Sequence, residues 1–384
     1  MKRYKYVDTP GPKPPRRKKR RYQKSIPKPF SYESLKTVLE HMEPNKRLDV
    51  VMRCDSIQTA DKAAPLKIEK LEFKPMKTII NNRTYQLGVY RRFKARGDDQ
   101  IYALDGTYTG GTPYDLDRFG FREISEDIKM TPGDVNLHNC HVEGRTPPYK
   151  SCILFKMQTE EFQYIEIKEE YMKYKKSLQE ASKHLNTQIF GGQHCPIQVK
   201  KMKIESGDMT IRLPQDVKIH VQIIETRRYV SRTIENLSQI LTDSSFLLKT
   251  IETAYTNDTG DLMHQNILEA KKFVVLEPFF FRGTNLSLFP SRTHFANCLD
   301  YRRIIKHWQE NEPAVGTSFL VSSSTDHRTQ QEISDDIGGV INEGIIVVAL
   351  NDTLNIEVTY EEVDTNKYES YGASHILNIK VVGK

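Results

Sequence analysis

The sequence predicts a mixed α/β (α+β) fold in which short helices come first and a strand-rich body follows. Between residues 30 and 65, apolar residues recur with helical spacing. Farther along the chain, short strand-like runs recur about every 20 to 30 residues, with helical stretches between them. The share of apolar residues is 38%, which is enough for a core that is spread along layers.

The positive charge of the chain is concentrated at its start. The chain has 57 Lys and Arg and 50 Asp and Glu, a net charge of +7. Residues 1–24 hold eleven of the cations and one of the acids, which leaves 46 cations and 49 acids in the body. A mildly acidic body is not typical of polyphosphate binding. We therefore expect nucleic-acid binding to be weak, nonspecific and confined to the tail.

Residues 1–28 are rich in proline and cations, which predicts a disordered basic tail. Six consecutive cations follow Pro14-Pro15 and have the form of a nuclear-import signal. These cations are Arg16, Arg17, Lys18, Lys19, Arg20 and Arg21. A solvated tail with weak affinity for RNA or anionic lipid is the alternative interpretation.

Cysteine usage and the apolar runs predict an intracellular protein, in the nucleus or the cytoplasm. The five cysteines are widely spaced and form no CxxC pair, which is typical of reduced thiols. The first 30 residues contain no apolar signal segment. The longest apolar run, near residues 344–350, is far too short to span a bilayer, so we expect no membrane partner.

Residues 29–65 predict a small module of three short helices. Ser31 is a suitable N-cap, and an apolar stripe at positions i, i+3, i+4 and i+7 runs toward Pro44, where we expect the helix to end. The stripe consists of Leu35, Val38, Leu39 and Met42. A second helix is expected to present Leu48, Val51 and Met52 on one face. Such a module buries little surface alone, so we expect it to dock on the body or on a partner.

Residues 66–150 predict a strand-and-loop region, and residues 151–384 predict an α/β body with an irregular repeat. The repeat has the pattern apolar-x-x-apolar-x-apolar, which is typical of strands in a leucine-rich-repeat-like solenoid. It occurs at Ile68, Leu71 and Phe73, at Val199, Met202 and Ile204, and at Ala270, Phe273 and Val275. Leu248 and Ile251 begin the same pattern, and a period-2 strand covers residues 217–223. An ordinary α/β layer fold with similar strands is the alternative.

Several further elements are expected in the body. A charged helix is predicted from about Glu169 to Phe190, with Leu178, Ala181, Leu185 and Ile189 on one face that packs on the core. Another helix is expected at residues 301–309. Strands are expected at residues 315–321, 345–350, 354–360 and 375–382, with a tight turn at residues 351–353.

No recognised catalytic motif occurs in the sequence. Phosphate-binding, HExxH, GxSxG and GxGxxG patterns are missing, so we expect a non-enzymatic protein without a cofactor. The cluster His138-Asn-Cys140-His141 has too few well-spaced donors for a zinc site and is interpreted as a polar loop. Carboxylates at Asp115, Asp117 and Asp134 are expected to cap helices or form turns.

From Phe30 onward the chain resembles a nematode-expanded, uncharacterised domain-of-unknown-function family. The resemblance rests on ordered blocks at residues 31–47, 85–93, 115–134 and 178–199, and more weakly on residues 301–321. The family has no established activity, so the resemblance implies none.

The opening segment also resembles an F-box, a motif that binds a Skp-type adaptor of cullin ubiquitin ligases. The matching positions are Pro29, Leu35, Val38, Leu39 and Met42, whereas Lys46-Arg47 stand where Asp-Leu is common. The resemblance implies an F-box-like helical module, and hence a protein-interaction or substrate-recognition module of a ubiquitin ligase. Its partners would be the adaptor and an unknown protein substrate. The alternative is a nuclear protein that associates with nucleic acid through its basic tail.

Overall fold

The structure of the chain is a computed structural model. It describes residues 31–92, 112–115, 130–137, 150–161, 164–173, 175–205, 209–227, 229–246, 248–254, 262–276, 286, 289–290, 293–296, 301–323, 329–362 and 375–384. The predicted basic tail, the import signal at residues 16–21 and Pro29 lie outside the described residues, as do Asp117 and the cluster at residues 138–141.

The described helices fall into an N-terminal group and a group spread through the body. They are α1 (Tyr32–His41), α2 (Pro44–Val51), α3 (Gln58–Ala63), α4 (Leu178–Phe190), α5 (Val230–Leu237), α6 (Gln265–Glu269), α7 (Tyr301–Asn311) and α8 (Gln330–Ile337). Short 3-10 turns lie at Asp55–Ile57 and Asp243–Phe246.

The described strands are more numerous than the helices. They are β1 (Lys67–Lys74), β2 (Lys77–Ile80), β3 (Arg83–Arg92), β4 (Val135–Asn136), β5 (Lys150–Glu161), β6 (Tyr164–Lys173), β7 (Ile197–Ile204), β8 (Thr210–Ile211), β9 (Ile219–Thr226), β10 (Thr250–Thr253), β11 (Lys272–Val275), β12 (Thr293–Phe295), β13 (Ser318–Ser323), β14 (Val340–Asn342), β15 (Ile345–Ala349), β16 (Leu354–Glu362) and β17 (His375–Gly383). The mixed α/β fold expected from the sequence is confirmed.

One large sheet organises the described chain. Its order is β14-β15-β16-β17-β13-β12-β11-β10-β9-β7-β1-β2-β3-β5-β6, and β4 pairs with β8 in a separate two-stranded sheet. The central strands β1, β7, β9, β10, β11, β12 and β13 are all parallel. We call these seven strands the parallel ladder. Antiparallel strands flank it on both sides.

The apolar pattern of the sequence sets the register of the ladder. Leu71 of β1 lies beside Met202 of β7, and Phe73 lies beside Ile204. The same two rows continue through every parallel strand to Phe319 and Val321 of β13. Side chains in these rows are buried, because alternate residues of a strand point to the same face. We call the face with these rows the inner face and the opposite one the outer face.

The body helices lie on the inner face. Apart from Leu178 of α4, their buried apolar residues belong to the same cluster as the two ladder rows. They include Phe190 of α4, Ile234 of α5 and Trp308 of α7, and Trp308 packs on Phe319 with ring centroids 5.1 Å apart. The core is therefore a layer between one face of the sheet and the helices.

Two predicted helix boundaries are wrong. Residues 169–173 were expected to begin a charged helix, but they end β6, which pairs with β5 as an antiparallel hairpin. Helix α4 begins only at Leu178, where Ser177 and Glu180 form a capping box. The first helix was expected to continue to Pro44, but α1 ends at His41. Pro44 occupies the first turn of α2, a position where the missing N–H has no cost.

Candidate functional site

The predicted adaptor-binding residues of the helical module do not share one exposed stripe. Leu39 is 1% exposed and packs with Ala60, Ala64 and the partly buried Leu35. Val38 is 41% exposed, and Met42 is half-buried. Pro29 lies outside the described residues. Helix α1 therefore uses Leu39 to hold α3 and leaves Val38 accessible to a partner.

Arg47 organises the helical module from its centre. Its side chain is 1% exposed, and its Nε donates to Asp61 Oδ1 at 2.6 Å. Its two terminal nitrogens donate to the backbone oxygens of Leu39, Asp61, Ala64 and Pro65 at 2.6–3.3 Å. The guanidinium thus joins α1, α2, α3 and the entry to β1. Arg47 therefore has a structural role in this module.

The helical module is docked on the antiparallel strands β2 and β3. Asn45 of α2 donates to the backbone oxygen of Ile80 at 2.9 Å and accepts from Tyr85 Oη at 3.0 Å. Arg83 donates to Asp49 at 2.7 Å. Burial raises the pKa of Tyr85 to about 12, so its hydroxyl remains a donor at neutral pH. Of the two expected outcomes, docking on the body is observed for this face of the module.

The outer face of the parallel ladder carries a network of lysine and glutamate side chains. Lys201 Nζ lies 2.8 Å from Glu225 and 2.6 Å from Glu252. Lys203 Nζ lies 2.6 Å from the other oxygen of Glu225. On β1, Lys74 Nζ bridges Glu72 at 3.1 Å and Glu205 at 2.7 Å. These ion pairs fix the side chains across four neighbouring strands.

The ammonium groups of three lysines and the carboxylate of Glu205, which is 38% exposed, form the accessible layer of this network. The side chains of Lys74, Lys201 and Lys203 are 28%, 25% and 30% exposed. Glu72 and Glu252 are each only 6% exposed. Burial opposes ionisation of Glu225, but hydrogen bonds from Lys201 and Lys203 outweigh it and lower the pKa. An approaching partner therefore meets three cations, which the more buried carboxylates hold in place, together with the accessible carboxylate of Glu205.

Sequence reasoning did not identify this surface, although its signal is present. In the pattern apolar-x-x-apolar-x-apolar, the fifth place points to the outer face. That place holds Glu72 in β1, Lys203 in β7 and Glu252 in β10. Charged residues at the fifth place of three copies of the pattern indicate that this face of the sheet is charged.

A buried histidine and serine lie farther along the outer face. His294 Nε2 lies 2.9 Å from Ser322 Oγ, and the two residues are 0% and 1% exposed. Burial, with a smaller effect of Lys272, lowers the pKa of His294 to about 3, so the ring is neutral at physiological pH. A neutral histidine beside a hydroxyl is a catalytic arrangement in exposed sites, but burial closes this pair to a substrate.

Two of the loop carboxylates that were expected to cap helices or form turns, Asp115 and Asp134, do so. Asp115 Oδ1 accepts from the backbone N–H of Leu178 at 2.5 Å, at the start of α4. Asp134 is fully buried and accepts from Arg212 at 2.7 Å, from Lys183 at 2.8 Å and from Thr131. Lys183 also donates to the backbone oxygens of Pro132 and Leu213. Asp134 therefore joins its loop to α4 and to the segment before β9.

An open cleft of about 830 Å³ lies between α2 and α3 of the helical module on one side and α4 and residues 214–217 of the body on the other. Its apolar lining comes mainly from Val51, Met52, Phe190 and Val217, and glutamine and threonine side chains supply much of its polar rim. Of the three residues predicted to share one face, Leu48 and Val51 are buried, whereas Met52 is 61% exposed at this cleft.

The described residues contain neither a cluster suited to a metal ion nor a helix that could cross a membrane. Within these residues, no group of three His, Cys, Asp or Glu side chains is placed to hold a metal ion. His264 caps α6 and lies 3.3 Å from Glu235. Among the described helices, none is both long and apolar enough to cross a membrane.

A family model described as Domain of unknown function (DUF3557) matches residues 177–325. No curated protein and no solved structure matches the chain significantly. The matched residues contain α4 to α7 and every strand of the parallel ladder except β1. Similarity to an uncharacterised domain is thereby confirmed for this part of the chain. The F-box resemblance and the nematode expansion stay predictions.

Proposed function

We propose that this chain is a non-enzymatic protein-interaction module that recognises a substrate for a ubiquitin ligase. In this proposal the outer face of the parallel ladder binds the protein substrate, and the helical module contacts a Skp-type adaptor. The observation that carries the proposal is the layer of fixed lysine ends across β1 and β7, above the carboxylates of β1, β9 and β10. A preorganised surface that presents both signs of charge favours recognition of a protein segment with a complementary charge pattern.

The strand spacing supports a repeat-like surface. Successive ladder strands begin at residues 197, 219, 250, 272, 293 and 318, with helices or turns between them on the inner face. Each unit contributes one strand to a common outer face, as in leucine-rich-repeat-like solenoids. Extended surfaces built in this way suit the binding of another protein.

Lys203→Glu tests the outer face, because it reverses one of the fixed cations without touching the inner rows. Lys306→Glu is the control, since Lys306 is exposed on α7 on the helical side of the sheet. We expect affinity capture with the full chain to lose specific proteins with Lys203→Glu and to retain them with Lys306→Glu. Identical captures for the two variants would show that the outer face is not the binding surface.

The adaptor contact is tested at Val38. Val38→Asp should abolish co-elution of the chain with a purified Skp-type adaptor, because it puts a charge on the accessible part of the predicted stripe. Val50→Asp is a matched control, since Val50 is also 41% exposed but lies on α2, outside the predicted set. Leu39 is unsuitable for this test because it is buried. A charge at this position would unfold the module, and loss of adaptor binding would then not report on the contact itself.

Two results would refute the adaptor contact. One is a wild-type chain that never co-elutes with the adaptor. The other is equal loss of co-elution with Val38→Asp and Val50→Asp when both variants remain folded.

The basic tail supports a second role, in nuclear import and nonspecific nucleic-acid binding. The concentration of eleven cations in residues 1–24 favours it. Deletion of residues 1–24 should abolish both nuclear accumulation and salt-dependent RNA binding. RNA binding that persists after the deletion would assign it to the body.

A further inference from the structure

Strand β6 is an exposed edge strand with an apolar outer face. It ends the order of the large sheet beyond β5, and among the described strands none pairs with its other side. Its outer-face residues Ile165, Ile167 and Tyr171 are 61%, 49% and 52% exposed. Long exposed edge strands with apolar residues are templates for pairing with another strand.

The alternation of backbone hydrogen bonds shows which residues of β6 face the open edge. The backbone N–H of Glu160 donates to Asn82, on the β3 side of β5. Neighbouring Thr159 therefore faces β6, where it lies opposite Glu166. Even-numbered residues of β6 bond to β5, and the odd-numbered residues direct their N–H and C=O groups outward. The outward groups thus belong to the same residues that form the apolar outer face.

We propose that β6 pairs antiparallel with β6 of a second copy of this chain, about a two-fold axis at Glu169. In this register Ile167 lies opposite Tyr171 of the second copy, and Lys168 lies opposite Glu170. Each of these pairs occurs twice by symmetry. The dimer therefore gains two apolar pairs on the outer face and two ion pairs on the inner face.

Charge decides between this register and its nearest competitor. Moving the axis by one residue to Lys168 keeps the same residues on each face. It places Lys168 opposite its own copy and Glu166 opposite Glu170, so three like-charged pairs replace the two ion pairs. With the axis at Glu169, the only like-charged pair is Glu169 with its copy. Lys156 of the same chain lies 3.9 Å from that carboxylate, and Tyr171 Oη donates to it at 3.1 Å.

Sedimentation velocity of the full chain over a wide concentration range tests whether β6 mediates dimerisation. We expect a reversible dimer that Ile167→Lys converts to a monomer, because it puts two lysines at the apolar pairs. Val340→Lys is the control, since Val340 is 71% exposed on β14 at the opposite edge of the sheet. A wild-type chain that stays monomeric, or a dimer unaffected by Ile167→Lys, would overturn the proposal.

A charge reversal tests the register. Lys168→Glu should weaken the dimer about tenfold, because both ion pairs become like-charged. The double variant Lys168→Glu with Glu170→Lys should restore the dimer, since the two ion pairs reappear with reversed polarity. Glu169→Gln should tighten the dimer by removing the like-charged pair at the axis. Failure of the double variant to restore pairing would exclude the register with the axis at Glu169.

Discussion

The helical module and the body are each held by a buried ion pair, but the member that makes most of the contacts is a cation in the module and an anion in the body. Arg47 lies at the centre of the helical module and donates mainly to backbone oxygens. Asp134 lies at the centre of its cluster in the body and accepts from two cations and from Thr131. A guanidinium stays charged at every physiological pH, whereas a carboxylate can be neutralised by acid.

The contacts of Arg47 and of Asp134 also differ in how far apart in the sequence the contacting residues lie. The contacts of Arg47 lie within residues 39–65, so the helical module depends on local chain segments. Asp134 contacts Lys183 and Arg212, which are far away in the sequence. The module should therefore respond mainly to loss of its cation, and the body should respond to acid as well.

The largest expected effect is that of Arg47→Met. The substitution leaves the Asp61 carboxylate and several backbone oxygens buried without their donor, which should lower the free energy of unfolding by about 3–5 kcal/mol. Urea unfolding measures the loss, and hydrogen exchange should place it in residues 31–66. Arg53→Met, at an exposed position of the same module, should change stability little.

Asp134→Asn should have a smaller effect, a loss of about 2–3 kcal/mol. The amide keeps the size of the side chain but removes the charge that Arg212 and Lys183 contact. Lys183 is 24% exposed, so water partly replaces its lost partner. Asp216→Asn is the control, because Asp216 is exposed in the turn before β9. If Asp134→Asn lowered the free energy of unfolding more than Arg47→Met in the same urea titration, the expected order of the two effects would be wrong.

Mild acid should weaken the body before the helical module. His294 has a pKa of about 3 in the folded chain and an ordinary value of 6.5, so the unfolded chain binds more protons between these values. Stability therefore falls as the pH drops below 6.5, by about 2 kcal/mol at pH 5. His294→Asn should flatten the pH dependence of the unfolding midpoint in this window.

Asp134 extends the acid sensitivity to lower pH. Burial opposes its ionisation, but hydrogen bonds from Lys183, Thr131 and Arg212 hold its pKa below the ordinary 3.8. Its contribution to stability is complete above that value and is lost as the pH falls through the folded pKa. The pH dependence that survives in His294→Asn should decrease further in the double variant with Asp134→Asn, and the part that remains includes the contribution of Glu225. Hydrogen exchange that opens the helical module first at pH 5 would contradict this order.

The smallest expected effect is that of Asp115→Ala, a loss of about 1 kcal/mol. The substitution removes the carboxylate that accepts from the backbone N–H of Leu178, and the capping box of Ser177 remains. Thermal unfolding should show a small decrease in Tm. Asp352→Ala, in the turn between β15 and β16, provides the control. An unchanged Tm for Asp115→Ala would mean that the capping box alone maintains α4.

Local patterns predicted the ladder well, because burial of Leu71, Met202 and Phe273 follows from the alternation of a strand. The same reasoning failed for residues 169–173, where closely spaced charges are compatible with a helix or an exposed strand. Pairing with β5 decides that choice, and pairing is not a local property. The contacts of Arg47 were equally hidden, because the packing of three helices brings Asp61 and the backbone oxygens together.

The parallel pairing of β1 with β7 also has a consequence for synthesis of the chain. Residues 67–74 leave the ribosome long before Ile197–Ile204, the strand that lies beside them. Until then, β1 can pair with its antiparallel neighbour β2, but its other edge is open. Leu71 and Phe73 also lack their neighbours Met202 and Ile204 of β7. Closing such a distant contact is slow, and nascent chains that stop before residue 197 expose that edge to aggregation or to chaperones.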